Sequence, residues 1–207
     1  MNGYAMLRAL PDRCARLAFF DPQYRSNLDA MKYGNEGAGR EKKRAALPPM
    51  SERTIALFVE QLERTLKPSG YAVMWIDKFI LGEGRQRDFL VYAPNLSIVD
   101  IGHWNKLRPG MGRRLRCYSE YALILQKSPI RAKGTWNDHR IPDTWPEQSD
   151  RSLHAHSKPH QLIERIIRST TKRGDLVLDP CAGSYGVLEA CKLSGRDFIG
   201  CDLLPAA

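Results

Sequence analysis

The sequence predicts an α/β domain built on an open sheet, mostly parallel with an antiparallel end. Three observations carry this. Leu176-Val177-Leu178 is a short apolar run entered from Arg173-Gly174 and ended by Asp179-Pro180. Proline cannot continue a ladder, so the run reads as a buried parallel strand with a sharp stop. Gly183-Ser184 then opens a helix of Val187, Leu188, Ala190 and Cys191, and a second strand, Asp197 to Cys201, closes on the acid Asp202. Near the other end of the chain, Leu17-Ala18-Phe19-Phe20 is another apolar run that ends in Asp-Pro, as Asp21-Pro22-Gln23-Tyr24. Strand, glycine turn, helix, strand, acid is the layout of a nucleotide-type ligand site. Its turn N–H groups are expected to face an anionic group, and its acid to receive ribose hydroxyls. In an open α/β sheet, ligands bind beyond the carboxyl ends of the strands where the winding reverses. If the two Asp-Pro strands are neighbours, Asp21 and Asp179 flank one crevice.

The elements follow in order. Ala5 to Leu10 has Met6, Leu7 and Leu10 on one side and reads as a short helix. After the strand at Leu17–Phe20, residues 25–50 are polar and glycine-bearing, with Arg40, Lys42, Lys43 and Arg44 ahead of Pro48-Pro49. A loop of that length, starting right after Tyr24, reads as a mobile flap that grips phosphates in preference to a solvated linker. Ser51 caps a helix with Thr54 in place of the capping-box acid. Ile55, Phe58, Val59, Leu62 and Leu66 form its apolar stripe, and Pro68-Ser69-Gly70 ends it. Tyr71 to Ile76 is the next buried strand, with Asp77 at its end. Phe79 to Val91 reads as one helix weakened by Gly82 and Gly84. Ser97 to Trp104 and Glu120 to Gln126 read as the paired strands of the antiparallel end. Between them, Lys106, Arg108, Arg113, Arg114 and Arg116 among glycine and proline breaks read as a phosphate- or base-contacting loop. In residues 127–156 cations alternate with Trp136 and Trp145. That suits nucleic acid, or tryptophans that pin an irregular segment down. Gln161 to Ser169, with Leu162, Ile163, Ile166 and Ile167, is a helix.

The chain has 207 residues, enough for one domain, 1–207, with a real core. Lys and Arg number 32 against 23 Asp and Glu, a net charge of +9. That fits a polyanionic partner or a merely soluble basic protein. No apolar run nears membrane-spanning length, so neither a leader nor a membrane is expected. The five cysteines are scattered without CxxC spacing, as reduced thiols of a cytoplasmic protein would be. His154, His156 and His160 do not form a standard zinc set, and no metal is expected.

These motifs, taken together, resemble the permuted (β-group) S-adenosylmethionine-dependent DNA amino-methyltransferases. The resemblance covers nearly the whole chain. It runs from Gly3 through Asp21-Pro22-Gln23-Tyr24, then Arg113 to Leu125, then His154 to Pro159 and Asp179 to Asp202. It implies a Rossmann-like methyltransferase sheet in circularly permuted order, a target-recognition region at about 105–155 that is short here, a DNA substrate and a homodimer. It implies that Asp21, Pro22 and Tyr24 hold the target base. Lys158, Pro159, Asp179, Pro180, Gly183, Ser184 and Asp202 would line the donor pocket, with Asp179 and Gly183 at the methionine end and Asp202 at the ribose. Arg40, Lys42, Lys43, Arg44, Arg108, Arg113, Arg114 and Arg116 would contact nucleic acid. An Asp-initiated motif implies adenine N6 rather than cytosine N4. RNA, cytosine N4, or a silent binding subunit are the alternatives.

The chemistry accounts for the target residues. The exocyclic amine of adenine is a poor nucleophile because its lone pair is delocalised. A carboxylate and a backbone carbonyl that accept its two hydrogens localise that pair and aim it at the methyl. Tyr24 offers a face for an extruded base. Three residues depart from the family pattern: Tyr4 in place of an acid, Gln23 in place of proline, and Tyr185 in place of glycine. The Pro180-Cys181 pair matches the nucleophile of cytosine-C5 enzymes, but its place in the donor turn makes it a core thiol.

Overall fold

A computed structural model describes residues 2–24, 50–110, 114–148 and 157–203. Arg40, Lys42, Lys43, Arg44, Arg113, His154 and His156 lie outside the described residues.

Helix α1 (Gly3–Ala9) leads into β1 (Ala15–Phe20), α2 (Glu52–Thr65) and β2 (Leu66–Ile76). The short helices α3 (Lys78–Gly82) and α4 (Gln86–Leu90) follow, then β3 (Leu96–Gly110), β4 (Cys117–Lys127) and β5 (Thr144–Pro146). The chain closes with α5 (His160–Thr170), β6 (Leu176–Asp179), α6 (Gly186–Ser194) and β7 (Asp197–Gly200). All seven strands form one sheet in the order β5-β3-β4-β2-β1-β6-β7. β1 runs parallel to both β2 and β6, and β7 is parallel to β6, while β4 is antiparallel to both β2 and β3.

Strand alternation sends β1 side chains to both faces. Ala18 and Phe20 join Ile55, Phe58, Val59 and Leu62 of α2 in one core cluster. Leu17 and Phe19 join Ile163, Ile166 and Ile167 of α5 and Val187 of α6 in the other. The α2 crossover therefore winds one way from β1, and the α6 crossover winds the other way from β6. The reversal falls between β1 and β6, where Leu17 is opposite Val177 and Ala18 opposite Leu178. No helix among the described residues is long and apolar enough to cross a membrane.

Ser51 caps α2 as expected, its hydroxyl accepting from the Thr54 N–H at 3.1 Å. Several boundaries differ from the sequence expectation. α2 ends at Thr65, and β2 starts at Leu66 rather than Tyr71. Pro68 and Ser69 lie within the early strand, where the pairing with β1 shifts register and Ser69 turns left-handed. The expected single helix at 79–91 is two helices, because Gly84 takes φ +74° between them. The first half of the expected loop at 106–116, residues 106–110, is strand. β3 runs on to Gly110 and β4 begins at Cys117, so the paired strands extend well into it. α6 opens at Gly186 rather than at Gly183. Trp136 and Trp145 pin their segment to the sheet. Trp136 lies edge-on to Tyr71 at 5.5 Å, and the Arg165 guanidinium covers Trp145 at 5.2 Å.

Candidate active site

Both Asp-Pro turns lie at the carboxyl ends of adjacent parallel strands, Asp21 after β1 and Asp179 ending β6. The two turns sit side by side, as the sequence anticipates for neighbouring strands, because β1 and β6 pair directly. Lys158, just before α5, lies against the target-side acid and the strands beyond it. Its ammonium is 3.1 Å from Asp21 Oδ2 and 2.9 Å from Glu120 Oε2 on β4. It also lies 4.8 Å above the ring of Trp75 on β2. Glu120 Oε1 in turn holds the Lys106 ammonium of β3 at 3.2 Å. Burial opposes charge on Lys158, but the Asp21 and Glu120 carboxylates outweigh it and carry its pKa above the usual lysine range. Burial likewise opposes ionisation of Glu120, and the ammonium groups of Lys158 and Lys106 outweigh it and hold its carboxyl below the usual range.

The donor-side turn does not have the expected chemistry. Its sequence predicts N–H groups offered to an anion, but the folded turn uses them internally. Asp179 Oδ1 accepts from the Cys181 N–H at 3.2 Å, and Asp202 Oδ2 accepts from the Gly183 N–H at 2.9 Å. The N–H groups of Ala182 and Tyr185 go to the carbonyls of Cys201 and Ala182. What faces the crevice is acid. Asp179 is only 5% exposed, and burial, with the charges of Asp21 and Asp202, pushes its pKa up to about 8 against the pull of the Cys181 N–H. A desolvated acid among acids is complementary to a cation, not to a pyrophosphate. The α-ammonium and sulfonium of S-adenosylmethionine meet that requirement, and the residues present fit this donor. Gly183 at φ +48° leaves the turn open. A Cβ there would meet nothing nearer than the Cys181 carbonyl oxygen at 4.0 Å.

Gly3 shows how the chain's first helix takes part. A Cβ there would lie 2.1 Å from the Pro180 carbonyl oxygen, so α1 docks on the donor turn only because residue 3 has no side chain. Gly3→Ala should push α1 off that turn and cost about 2 kcal/mol or more, read as a lowered Tm together with weaker donor binding. Tyr4 packs against Phe58 with ring centroids 5.7 Å apart, which is the packing role rather than a free stacking face. Tyr185 holds a left-handed conformation, φ 57°, at the start of α6. Glycine is at ease there and tyrosine is not. Tyr185→Gly should raise stability by about 1 kcal/mol, seen as a higher denaturation midpoint.

On the target side, the Pro22 carbonyl accepts from the Tyr24 N–H at 2.8 Å, a tight turn that fixes the ring position. The Tyr24 hydroxyl is buried with no hydrogen-bond partner among the described residues. Burial first, then the charges of Asp21 and Asp77, keep it protonated well above the usual phenol range. Asp77 caps α3 by accepting from the Phe79 N–H at 2.8 Å, so its carboxylate is structural although its charge reaches Tyr24. Burial and three acids raise the Cys181 thiol far above its ordinary pKa, which denies it a nucleophilic role.

Pro159, Pro180 and Ser184 lie beside these groups in the chain, Pro159 and Pro180 buried and Ser184 half-buried. Arg108, Arg114 and Arg116 are exposed on the β3–β4 hairpin. Lys106 is half-buried and held by Glu120. Glu120 and Trp75 are the site residues that motif reading misses. The available signal is position: Glu120 is an acid heading the apolar run Tyr121 to Leu125, as Asp77 ends one.

Comparison with known proteins agrees with this geometry. The DNA methylase family model matches residues 21–206. Type II methyltransferase M.HhaII of Haemophilus parahaemolyticus is 50% identical over 204 residues, spanning 99% of this chain and 89% of that relative. Among solved structures, the M1.HpyAVI–SAM complex matches with a TM-score of 0.68 at 20% identity, covering 98% of this chain and 90% of that one. The cytosine-N4-specific PvuII DNA methyltransferase matches with 0.70 at 16%, covering 99% and 80%. At such identities the structural likeness speaks for the fold alone.

Proposed function

The chain belongs to the DNA methylase family, and from that premise we propose that it transfers the methyl group of S-adenosylmethionine to the exocyclic N6 amine of adenine in DNA, as a Type II methyltransferase. The observation that carries the reading is the pair of carboxylates at neighbouring strand ends, Asp21 for the target and Asp179 for the donor. The bound donor supplies an electrophilic methyl on a sulfonium. The chain supplies position. Asp179, Gly183 and Asp202 hold the donor's charged and ribose ends, and Pro159 and Pro180 close the pocket walls. Asp21 and the Pro22 carbonyl accept the two amine hydrogens, and Tyr24 presents its face to the base. With both partners aligned, direct in-line displacement needs no covalent nucleophile. The exposed Arg108, Arg114 and Arg116 are placed to meet phosphates. The Asp rather than Ser at position 21 favours adenine N6. The homodimer belongs to the proposal through the family resemblance only.

The test is nucleoside mass spectrometry after incubation with S-adenosylmethionine and unmethylated DNA. N6-methyladenine is expected. N4-methylcytosine would keep the mechanism and change the base. No product on DNA, with product on RNA, would overturn the DNA assignment.

A further inference from the structure

Four charges of alternating sign run from the β3–β4 hairpin into the crevice: Lys106, Glu120, Lys158 and Asp21, with successive contacts of 3.2, 2.9 and 3.1 Å. The two cations are unequal. Both are largely buried, Lys106 16% and Lys158 19% exposed, but Lys106 meets the carboxylate of Glu120, while Lys158 is caged by two carboxylates and an indole ring. We propose that Glu120 is a positioning residue for methyl transfer, holding the Lys158 ammonium between its own carboxylate and that of Asp21 so that the target-facing acid is fixed against the Trp75 side of the crevice. The inference rests on the proposed transfer to an exocyclic amine at Asp21.

The physical case is one of competition. An ammonium given only one carboxylate collapses onto it and lowers its power to accept another hydrogen bond. Asp21 must accept from the target amine, so an undivided Lys158 would weaken it. Without the Lys158 cation, Asp21 would be left to the acids and weak acids that act on it: Asp179 from β6, Cys181 from the donor turn and Tyr24 from its own turn. It would then tend to protonate and lose its acceptor role. Glu120 settles the matter between these extremes. It takes part of the Lys158 charge, fixes its place over Trp75, and is itself kept ionised by Lys158 and then by Lys106. A single strand-end acid thus sets the strength of another on a strand two places away in the sheet.

The test uses the full chain and three variants, Glu120→Gln, Glu120→Asp and Lys158→Met. Two readouts are taken: steady-state methylation across pH, and the titration of Asp21 by carboxyl carbon-13 NMR, with its signal assigned through Asp21→Asn. Glu120→Gln is expected to lower kcat about tenfold or more with KM for donor and DNA within about twofold, and to move the Asp21 titration down. Glu120→Asp should recover part of kcat. Lys158→Met should move the Asp21 titration, and the acid limb of the rate, up by about one pH unit or more. The proposal is overturned if Glu120→Gln keeps kcat and the Asp21 titration within error of the parent. It is also overturned if kcat, donor affinity and Tm fall together while the titration stays put, which marks a merely structural role. The titration needs neither donor nor DNA. A parent chain that methylates nothing would therefore overturn the proposed reaction, while the charge arrangement stands or falls on the NMR result.

Discussion

Asp21→Ala is expected to lower the methylation rate about 1,000-fold while donor binding at neutral pH stays the same or tightens. The loss follows from the amine's chemistry. With its carboxylate acceptor gone, the lone pair returns to the ring, and the Pro22 carbonyl alone cannot orient it. The retained donor affinity follows from the electrostatics of the crevice. Asp21 is one of the two charges that, after burial, drive Asp179 toward its protonated form. Its removal lets Asp179 ionise more readily, and an ionised Asp179 is the form that attracts the donor's ammonium. Single-turnover rates set beside calorimetric donor affinity separate the two effects. A variant that loses donor binding as well would show that the two carboxylates do not divide the work this way.

The second large effect is a reversal in the protons exchanged when the donor binds. Asp179 has a pKa of about 8, and burial is its main cause. The α-amino group of the donor titrates at about 7.7–8.0 in solution. The bound pair needs a carboxylate and an ammonium. At pH 7 the free protein carries Asp179 protonated and the donor is an ammonium, so binding releases about one proton. At pH 9 Asp179 is ionised and the amine is neutral, so binding takes up about one proton. Calorimetry with S-adenosylmethionine itself, in the absence of DNA and in buffers of different ionisation enthalpy, should show the sign change near pH 8. Asp179→Asn should abolish the release at pH 7 and weaken binding by about 100-fold. The same group acts on stability. Its folded pKa lies above the unfolded value of 3.8, so its contribution is fully present below that value and is lost as pH rises through about 8. A donor-free chain should melt earlier at pH 8 than at pH 6 on this account. A proton count that stays at zero from pH 7 to 9 would place the donor's ammonium elsewhere.

Local features of the sequence mark most of the strands and helices. Leu17–Phe20 and Leu176–Leu178 are apolar runs with proline stops, and both are strands. Ser51 and the stripe from Ile55 to Leu62 define a capped amphipathic helix, and that helix forms. Differences arise where one residue's backbone angle or a partner strand decides the outcome. Gly84 splits a helix that composition marks only as weakened. The cation-rich stretch at 106–116 reads as a loop, yet β4 lends it a ladder up to Gly110. Charge and glycine content report solvent exposure, and a strand at the margin of a sheet is exposed too.

The two Asp-Pro strand ends, the glycine turn and the acid Asp202 are written in the chain itself, because each depends on residues adjacent in sequence. Other features are not. The turn spends its N–H groups on its own acids, Gly3 must be bare to meet Pro180, and Glu120 and Asp21 share one lysine. Apart from the local bond of the Cys181 N–H to Asp179, those are contacts between residues from 19 to 177 positions apart. Only the order in which the strands pair brings them within a few ångströms. At that distance desolvation and neighbouring charge, rather than residue type, set which groups are ionised and so what the crevice can bind.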